Sequence, residues 1–123
     1  MTELILVERP SKRVAHIVLN RPERRNALTG PLVDQFGDAL EQLHQDDDIT
    51  VIVLRGAGDA FCSGLDLKEF GHDPQPAWVA DFPAKWRRVH CQLFDSDRII
   101  VGALQRAAVN GGAALALACD FLV

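Results

Sequence analysis

The spacing of apolar and polar residues along the chain predicts an alternation of strands and helices. Residues 4–8 and 14–19 are short, β-branched apolar runs separated by a polar turn, which is typical of a strand pair. The apolar runs at residues 50–55 and 99–104 show no alternation and predict fully buried strands. The chain ends in a further apolar run at residues 120–123 without a turn signal after it, as if it were cut within a strand.

Helical spacing marks three other segments. Apolar residues fall on one stripe of residues 29–44, with Thr29 placed to cap the helix. Residues 80–94 repeat apolar positions at intervals of three and four, and a helix beginning there holds Pro83 in its first turn. Residues 113–119 form an alanine-rich helix. Strands alternating with helices favour the α/β class, with helices covering a sheet.

Length and composition place the chain among soluble proteins. Its 123 residues suffice for one domain or part of one, and 48% apolar with 24% charged residues is ordinary for a globular protein. No apolar run approaches the roughly 20 residues of a membrane-spanning helix. A net charge of -4 argues against nucleic-acid binding, because phosphate recognition normally requires a basic face.

Cysteine usage and the N-terminus indicate the compartment. Cys62, Cys91 and Cys119 are an odd number without metal-ligand spacing, so we expect reduced thiols in small core positions and no metal site. The first residues lack the basic and apolar regions of a secretion signal. A cytoplasmic location is therefore expected.

Two loops are candidates for ligand binding. Each follows a predicted strand and is rich in small residues, one around Gly64 and the other at Gly111 and Gly112, while residues 69–75 read as an irregular loop. Glycine allows close approach to the backbone, and a helix start presents unpaired N–H groups. Spacing alone leaves a second interpretation open, because a glycine pair before an alanine-rich helix also serves close packing.

Three segments of the chain resemble the signature segments of one family, in the same order. They are Arg-Pro-Glu-Arg-Arg-Asn-Ala-Leu at residues 21–28, Ala-Phe-Cys-Ser-Gly-Leu-Asp-Leu at residues 60–67, and the glycine-pair segment at residues 107–120. The chain resembles the enoyl-CoA hydratase/isomerase (crotonase) family over essentially its whole length. The resemblance implies an α/β, crotonase-like spiral of strand-strand-helix units. Residues 1–123 would be the N-terminal part of a single acyl-CoA-binding domain, about its first half.

The resemblance also implies a site. The backbone N–H groups of Leu65 and Gly111 would form an oxyanion hole that polarises a thioester carbonyl. Acyl-CoA would lie along these residues: Arg25, Ala27, Ser63, Leu65, Asp66, Leu67, Lys68 and Gly111. CoA is then part of the substrate, and no separate cofactor is expected. Family members form trimers or pairs of trimers, so a homotrimer or hexamer is the expected assembly.

Departures from the family pattern narrow the reactions that are expected of this chain. Hydratases of the family carry a catalytic glutamate where this chain has Ala114, and a methyl group transfers no proton. Isomerase-type proton transfer is therefore favoured, with its carboxylate beyond residue 123. Arg106 stands where glycine is usual, and Asn110 stands where many members have the first glycine of a triplet.

Other hypotheses remain beside this one. Hydratase, hydrolase, dehalogenase or lyase chemistry would suit the same fold, and a catalytically silent acyl-CoA-binding or assembly subunit would keep the pocket without its carboxylate. A ClpP-like serine protease needs a Ser-His-Asp set that the sequence does not supply. Asp66, beside a tight turn, is expected to cap a helix rather than act as a base.

The histidines and tryptophans have simpler interpretations. His16, in a predicted strand, and His90, in a predicted helix, are expected to be structural. His44 and His72 are expected to be solvated. The tryptophans, beside and within the 80–94 helix, are expected in the core or at a subunit contact, although the resemblance places this region near the acyl pocket.

Overall fold

The computed structural model describes residues 3–123, which form a five-stranded mixed sheet with helices packed on it. The strands lie in sequence order: β1 (Ile5–Glu8), β2 (Val14–Leu19), β3 (Val51–Gly56), β4 (Ile99–Gly102) and β5 (Phe121–Leu122). The helices are α1 (Gly30–His44), α2 (Leu67–Phe70), α3 (Trp78–Phe94) and α4 (Gly111–Leu117). A 3-10 helix, Pro22–Arg24, follows β2. The α/β class is confirmed.

Strand pairing follows the expected plan. β1 and β2 are antiparallel, with Ile5 opposite Leu19, and this confirms the predicted strand pair. The pairs β2–β3, β3–β4 and β4–β5 are parallel. The crossovers between parallel strands carry the helices and both glycine-containing loops, so these loops follow the carboxyl ends of neighbouring strands.

The prediction of fully buried strands at residues 50–55 and 99–104 is wrong, since in β4 Ile99 is exposed and Val101 is half-buried. Along β3 the buried residues alternate with half-buried ones, so Ile52 and Leu54 are buried while Val53 is not. The register aligns Ile52 with Ala15 and Ile100, which are also buried. One face of the sheet therefore carries the core, and its other face is only half-covered by the described residues.

The core lies between that face and α1. Helix α1 begins where the sequence indicates, because Thr29 Oγ1 accepts a hydrogen bond from the N–H of Leu32 at 3.3 Å. Its buried stripe includes Leu32, Phe36 and Leu40, which join the sheet residues in one hydrophobic cluster. An uninterrupted apolar stripe and a local cap are enough to specify this helix.

Helix α3 begins two residues earlier than predicted, and Pro83 is its sixth residue rather than part of its first turn. Proline lacks an N–H, so it cannot donate to the carbonyl four residues before it, that of Val79. Tertiary contacts at the start of the helix explain the earlier beginning. Trp78 packs on Gly30, where an added Cβ would lie 2.4 Å from the Trp78 Cβ. Its indole N–H also donates to Glu69 at 3.3 Å.

Other expectations are corrected locally. Helix α2 includes Glu69 and Phe70, which were expected to be irregular, because Asp66 caps it. Cys91 is exposed on α3 rather than buried in the core. His44 is half-buried rather than solvated, and its Nε2 forms a hydrogen bond with Ser96 Oγ at 2.7 Å. Within residues 3–123, no helix combines the length and apolarity needed to cross a membrane.

Candidate functional site

The three signature segments lie side by side. Leu28 and Leu65 form a parallel bridge, and Cys62 and Ala108 form another. Hydrogen bonds extend both contacts: the N–H of Leu28 donates to the Gly64 carbonyl at 2.8 Å, and the N–H of Cys62 donates to Ala107 at 3.1 Å. The segment at residues 61–65 is therefore held on both edges, and its central position fixes the geometry of the site.

Gly64 packs closely against the other glycine-containing loop. Its φ of +92° lies in the region that favours glycine. An added Cβ would lie 2.8 Å from the Val109 carbonyl oxygen and 3.5 Å from the Gly111 nitrogen. Glycine is therefore required here both by the backbone conformation and by the neighbouring loop.

The glycine pair has a packing role as well. A Cβ on Gly112 would lie 2.2 Å from the Cys62 carbonyl oxygen, so the close-packing interpretation is confirmed for this residue. A Cβ on Gly111 would approach Leu28 Cδ1 to 2.7 Å. Packing alone therefore explains the absence of side chains, and any ligand role must come from the backbone.

Some backbone N–H groups at this point have no acceptor within residues 3–123. The residues that follow Leu65 and Gly111 are paired: the N–H of Asp66 donates to the Leu28 carbonyl at 2.9 Å, and the N–H of Gly112 donates to the Val109 carbonyl at 2.8 Å. The N–H groups of Leu65 and Gly111 make no such bond, and both residues are half-buried. Partly buried donors without partners are ready to bind an anionic or carbonyl oxygen.

The carboxylate of Asp66 forms several hydrogen bonds and ion pairs in this region. It is 2% exposed, caps α2 through the N–H groups of Lys68 and Glu69, and forms ion pairs with Arg21 at 2.7 Å and Arg24 at 3.1 Å. Burial alone would raise the pKa of Asp66, but the bonds from the Glu69 N–H and Arg21, with the two arginine charges, lower it overall. Asp66 therefore holds the loop in place, and the predicted cap is confirmed.

Sequence reasoning missed Asn26 and Arg21. Asn26 is fully buried; its amide donates to the carbonyls of Ala57 and Ala60 at 3.0 and 2.9 Å, and its Oδ1 accepts from the Arg21 N–H. The bonds tie the first signature segment to the loop after β3. The residue type itself is the signal that could have identified Asn26, because asparagine is enriched at positive φ and Asn26 has a φ of +57°.

The remaining predicted site residues lie around this centre. Ser63 is half-buried, Ala27 is buried, and Arg25, Leu67 and Lys68 are exposed. Leu67 is 72% exposed, a large value for an apolar side chain beside a loop, so it offers apolar surface to a ligand. The structure thus brings the predicted residues to one region.

Ala114 and Trp86 flank Gly111. Ala114 lies three residues after Gly111 on α4, and therefore on a neighbouring position of the same helix face. Trp86 ring atoms lie 3.5 and 3.6 Å from the position of an added Gly111 Cβ. Trp86 also stacks on Phe82, with ring centroids 5.8 Å apart, and contacts His90 edge-on at 4.5 Å. Trp86 is half-buried and packs against the hydrophobic core, as predicted for a core residue, and it also lies beside the site.

Cys62 lies within the same segment but is not a reactive thiol. It is fully buried and its Sγ donates to the Asn26 carbonyl at 3.2 Å. Burial raises the pKa of Cys62 to about 11, which leaves almost no thiolate near neutral pH. Among residues 3–123, no group of three or more histidine, cysteine or acidic side chains is arranged to hold a metal ion.

Comparison with known proteins decides the family. The model of the family described as "Enoyl-CoA hydratase/isomerase" matches residues 9–123. The chain belongs to this family. Its fold is that of the solved crotonase-family members, because the structure superposes on an enoyl-CoA hydratase from Bacillus anthracis with a TM-score of 0.88 and 30% identity, over 98% of this chain and 46% of that one.

Relatives in the enoyl-CoA hydratase/isomerase family bear names of both reactions. A probable enoyl-CoA hydratase of Mycobacterium tuberculosis (strain CDC 1551 / Oshkosh) is 36% identical over 98% of this chain and 46% of its own length. A solved monofunctional enoyl-CoA isomerase from M. smegmatis is 30% identical, with a TM-score of 0.79 over 98% of this chain and 49% of that one. The chain thus spans about half the length of the relatives it matches.

Proposed function

We propose that the protein containing this chain binds an acyl-CoA thioester and stabilises its enolate. The observation that carries the proposal is the pair of N–H groups of Leu65 and Gly111, which have no acceptor within residues 3–123 and lie where two loops touch. Membership of the enoyl-CoA hydratase/isomerase family supports a thioester as the ligand.

The chemistry follows from the charge that develops on the thioester oxygen. Removal of a proton from the carbon next to the thioester carbonyl turns that oxygen into an enolate oxyanion. Two fixed N–H donors stabilise it without reorganising, and each such donor is worth about 2.7 to 4 kcal/mol in the transition state. Asp66 holds the loop that carries the Leu65 donor, since it joins α2 to Arg21 and Arg24.

The proton transfer itself is proposed to be of the isomerase type. Hydration through two carboxylates needs a glutamate where this chain has Ala114. Asp66 does not replace it, because both of its carboxylate oxygens already accept hydrogen bonds from arginines or backbone N–H groups. We place the carboxylate that moves the proton beyond residue 123, in the part of the protein that lies outside this chain.

The position of the double bond in the substrate tests the reaction. The full-length gene product is mixed with a 3-enoyl-CoA or with a 2-enoyl-CoA, and the ultraviolet absorbance of the conjugated thioester is followed. A rise with the 3-enoyl substrate and no fall with the 2-enoyl substrate is expected. A fall with the 2-enoyl substrate shows hydration and contradicts the argument from Ala114.

A second candidate, acyl-CoA binding without turnover, is favoured by the same observations. Ala114 supplies no proton, and the carboxylate of Asp66 is engaged in ion pairs. Calorimetric titration with a saturated acyl-CoA, read together with the absorbance assay, tests this candidate against the first. Binding without any absorbance change from either enoyl-CoA supports a silent binding subunit or other acyl-CoA chemistry, whereas absence of binding contradicts both functions.

A further inference from the structure

A cavity of about 250 Å³ lies at the start of the loop that leads to Leu65. It is lined by two arginines, one acid and two alanines: Arg25, Asp59, Ala60, Arg106 and Ala107. The three charged residues are exposed. Within residues 3–123, none of their side chains takes part in an ion pair.

This arrangement differs from that of most other arginines in the chain. Arg21 and Arg24 pair with Asp66, and Arg55 pairs with Glu8. Arg25 and Arg106 instead share one cavity without an acidic partner bonded to either. Two guanidinium groups with unused donors suit an oxyanion, because each donates parallel N–H bonds that match phosphate geometry.

The backbone at both arginines is in the conformation that favours glycine. Arg25 and Arg106 each have a φ of 50°. Residues with a Cβ enter this region at an energetic cost, and a glycine would occupy it freely. Arg106 therefore occupies a position where glycine would fit without strain. A contact between its side chain and a ligand would explain why an arginine is present there.

The cavity is placed to reach a ligand bound at the N–H groups described above. Phe61 donates to the Gln105 carbonyl at 3.0 Å and Ser63 donates to the Arg25 carbonyl at 3.0 Å, so the two arginines flank opposite edges of the same segment. Ala60, which lines the cavity, precedes Leu65 by five residues, at most about 17 Å along an extended chain. A long ligand can thus lie along the segment with one end at each site.

We propose that Arg106, together with Arg25, binds the 3′-phosphate of the CoA nucleotide and so selects CoA thioesters over thioesters that lack this phosphate. The inference rests on the proposed acyl-CoA ligand. The 3′-phosphate is the phosphate monoester of CoA. It is a terminal dianion to which two arginines can donate hydrogen bonds from two sides. The carboxylate of Asp59 lies in the same cavity and opposes the dianion, which limits the affinity.

The test compares one thioester with and without its 3′-phosphate on the full-length gene product. Calorimetry gives the affinity of the wild type and of Arg106→Gly for an acyl-CoA and for the matching acyl-3′-dephospho-CoA. Glycine suits the φ of residue 106, so this substitution removes the charge without straining the loop. Arg106→Gly is expected to weaken acyl-CoA binding about tenfold and to leave the dephospho-thioester unchanged.

Two further variants separate a specific contact from general charge. Arg87 is exposed on α3 and lies outside the cavity, so Arg87→Ala removes an equal charge and is expected to change neither affinity. Asp59→Asn removes the opposing carboxylate and is expected to tighten acyl-CoA binding only. Equal effects of Arg106→Gly on both thioesters, or no effect on either, would overturn the proposal while the proposed function stands.

A separate phosphate ion is the other source of the same chemistry. Inorganic phosphate is therefore titrated alone into the wild type and Arg106→Gly. Phosphate binding that requires Arg106, combined with equal wild-type affinity for the two thioesters, assigns the cavity to a free anion and overturns the CoA assignment. If neither thioester binds the wild type, the proposed function and this inference fail together, and calorimetry shows this directly.

Discussion

Gly64 lies against Gly111, so that an added Cβ on Gly64 would be 3.5 Å from the Gly111 nitrogen. This contact brings the ends of two loops from different parts of the sheet to one point. The N–H groups of Leu65 and Gly111 are both without an acceptor there, within the part of the chain that the structure describes. Each loop therefore supplies one of the two donors.

The contribution of the Gly111 N–H to catalysis can be tested with two substitutions, of which only one removes that N–H. Gly111→Ala and Gly111→Pro both add a Cβ, which meets the flexible Leu28 side chain, but only proline removes the N–H. Gly111 is the first residue of α4, a position where proline is tolerated. Relative to Gly111→Ala, we expect Gly111→Pro to lower kcat/KM by about 100- to 1,000-fold, as for loss of one oxyanion donor.

Circular dichroism and thermal unfolding serve as the control for that comparison, because the residue before proline, Asn110, has a positive φ. The two variants must melt at similar temperatures for the activities to be compared. Equal kcat/KM for two equally folded variants would show that the Gly111 N–H contributes nothing to the transition state.

The ion pairs of Asp66 are expected to dominate the stability of the loop. Asp66→Asn leaves the half-buried Arg21 guanidinium without its main partner, and breaking a buried pair costs about 3 to 5 kcal/mol of unfolding free energy. Urea unfolding measures the loss. Asp34→Asn is the control: it breaks the pair with Lys85, which is much more exposed than the Asp66 pairs and is worth about 0 to 1 kcal/mol. Similar losses in the two variants would contradict a special role for Asp66.

The pH dependence of stability gives a second measure of the same residue. The folded-state pKa of Asp66 is lowered, so between that value and the unfolded value of about 3.9 only the unfolded state binds the proton. Stability therefore rises with pH in this window, is fully present above it, and is lost as pH falls through the folded pKa. Asp66→Asn should flatten the curve of unfolding free energy below about pH 4 relative to the wild type.

Local patterns were enough to predict much of the fold. The apolar stripe and the Thr29 cap specified α1, and the apolar run at β4 marked its strand. The start of α3 was not predictable in this way, because the contact between Trp78 and Gly30 joins residues 48 positions apart. A tertiary contact thus outweighed the local preference against Pro83 inside a helix.

Part of the site was likewise predictable from local sequence, and part depended on tertiary contacts. The glycine-containing loops were visible in sequence because Gly64 and Gly112 leave no room for a side chain. The ion-pair partners of Asp66 were not visible in the sequence. The arginine that pairs with it most closely lies 45 residues away, and several other basic residues could have formed the pair. Which donors stay without an acceptor also depends on the register of two bridges, and the register is a property of the folded chain.

The three cysteines should differ sharply in reactivity. Burial raises the pKa of Cys62 to about 11, and burial with the nearby Asp120 charge raises that of Cys119 to about 11 as well. Cys91 is exposed. At pH 8 we expect a thiol reagent to modify Cys91 quickly and the other two only after unfolding. Peptide mass spectrometry after timed labelling identifies each site; rapid labelling of Cys62 would contradict the packing of its segment.

Trp86 should report on ligand binding directly. Its ring lies beside Gly111, and it packs edge-on against His90, whose pKa is lowered by burial so that the imidazole is neutral at pH 7. A thioester held by the Gly111 N–H would therefore contact the indole. We expect acyl-CoA to change the fluorescence of the wild type and of Trp78→Phe, but not of Trp86→Phe, which keeps an aromatic contact and so loses less than about tenfold in affinity. A ligand-dependent signal from Trp86→Phe would place the acyl group elsewhere.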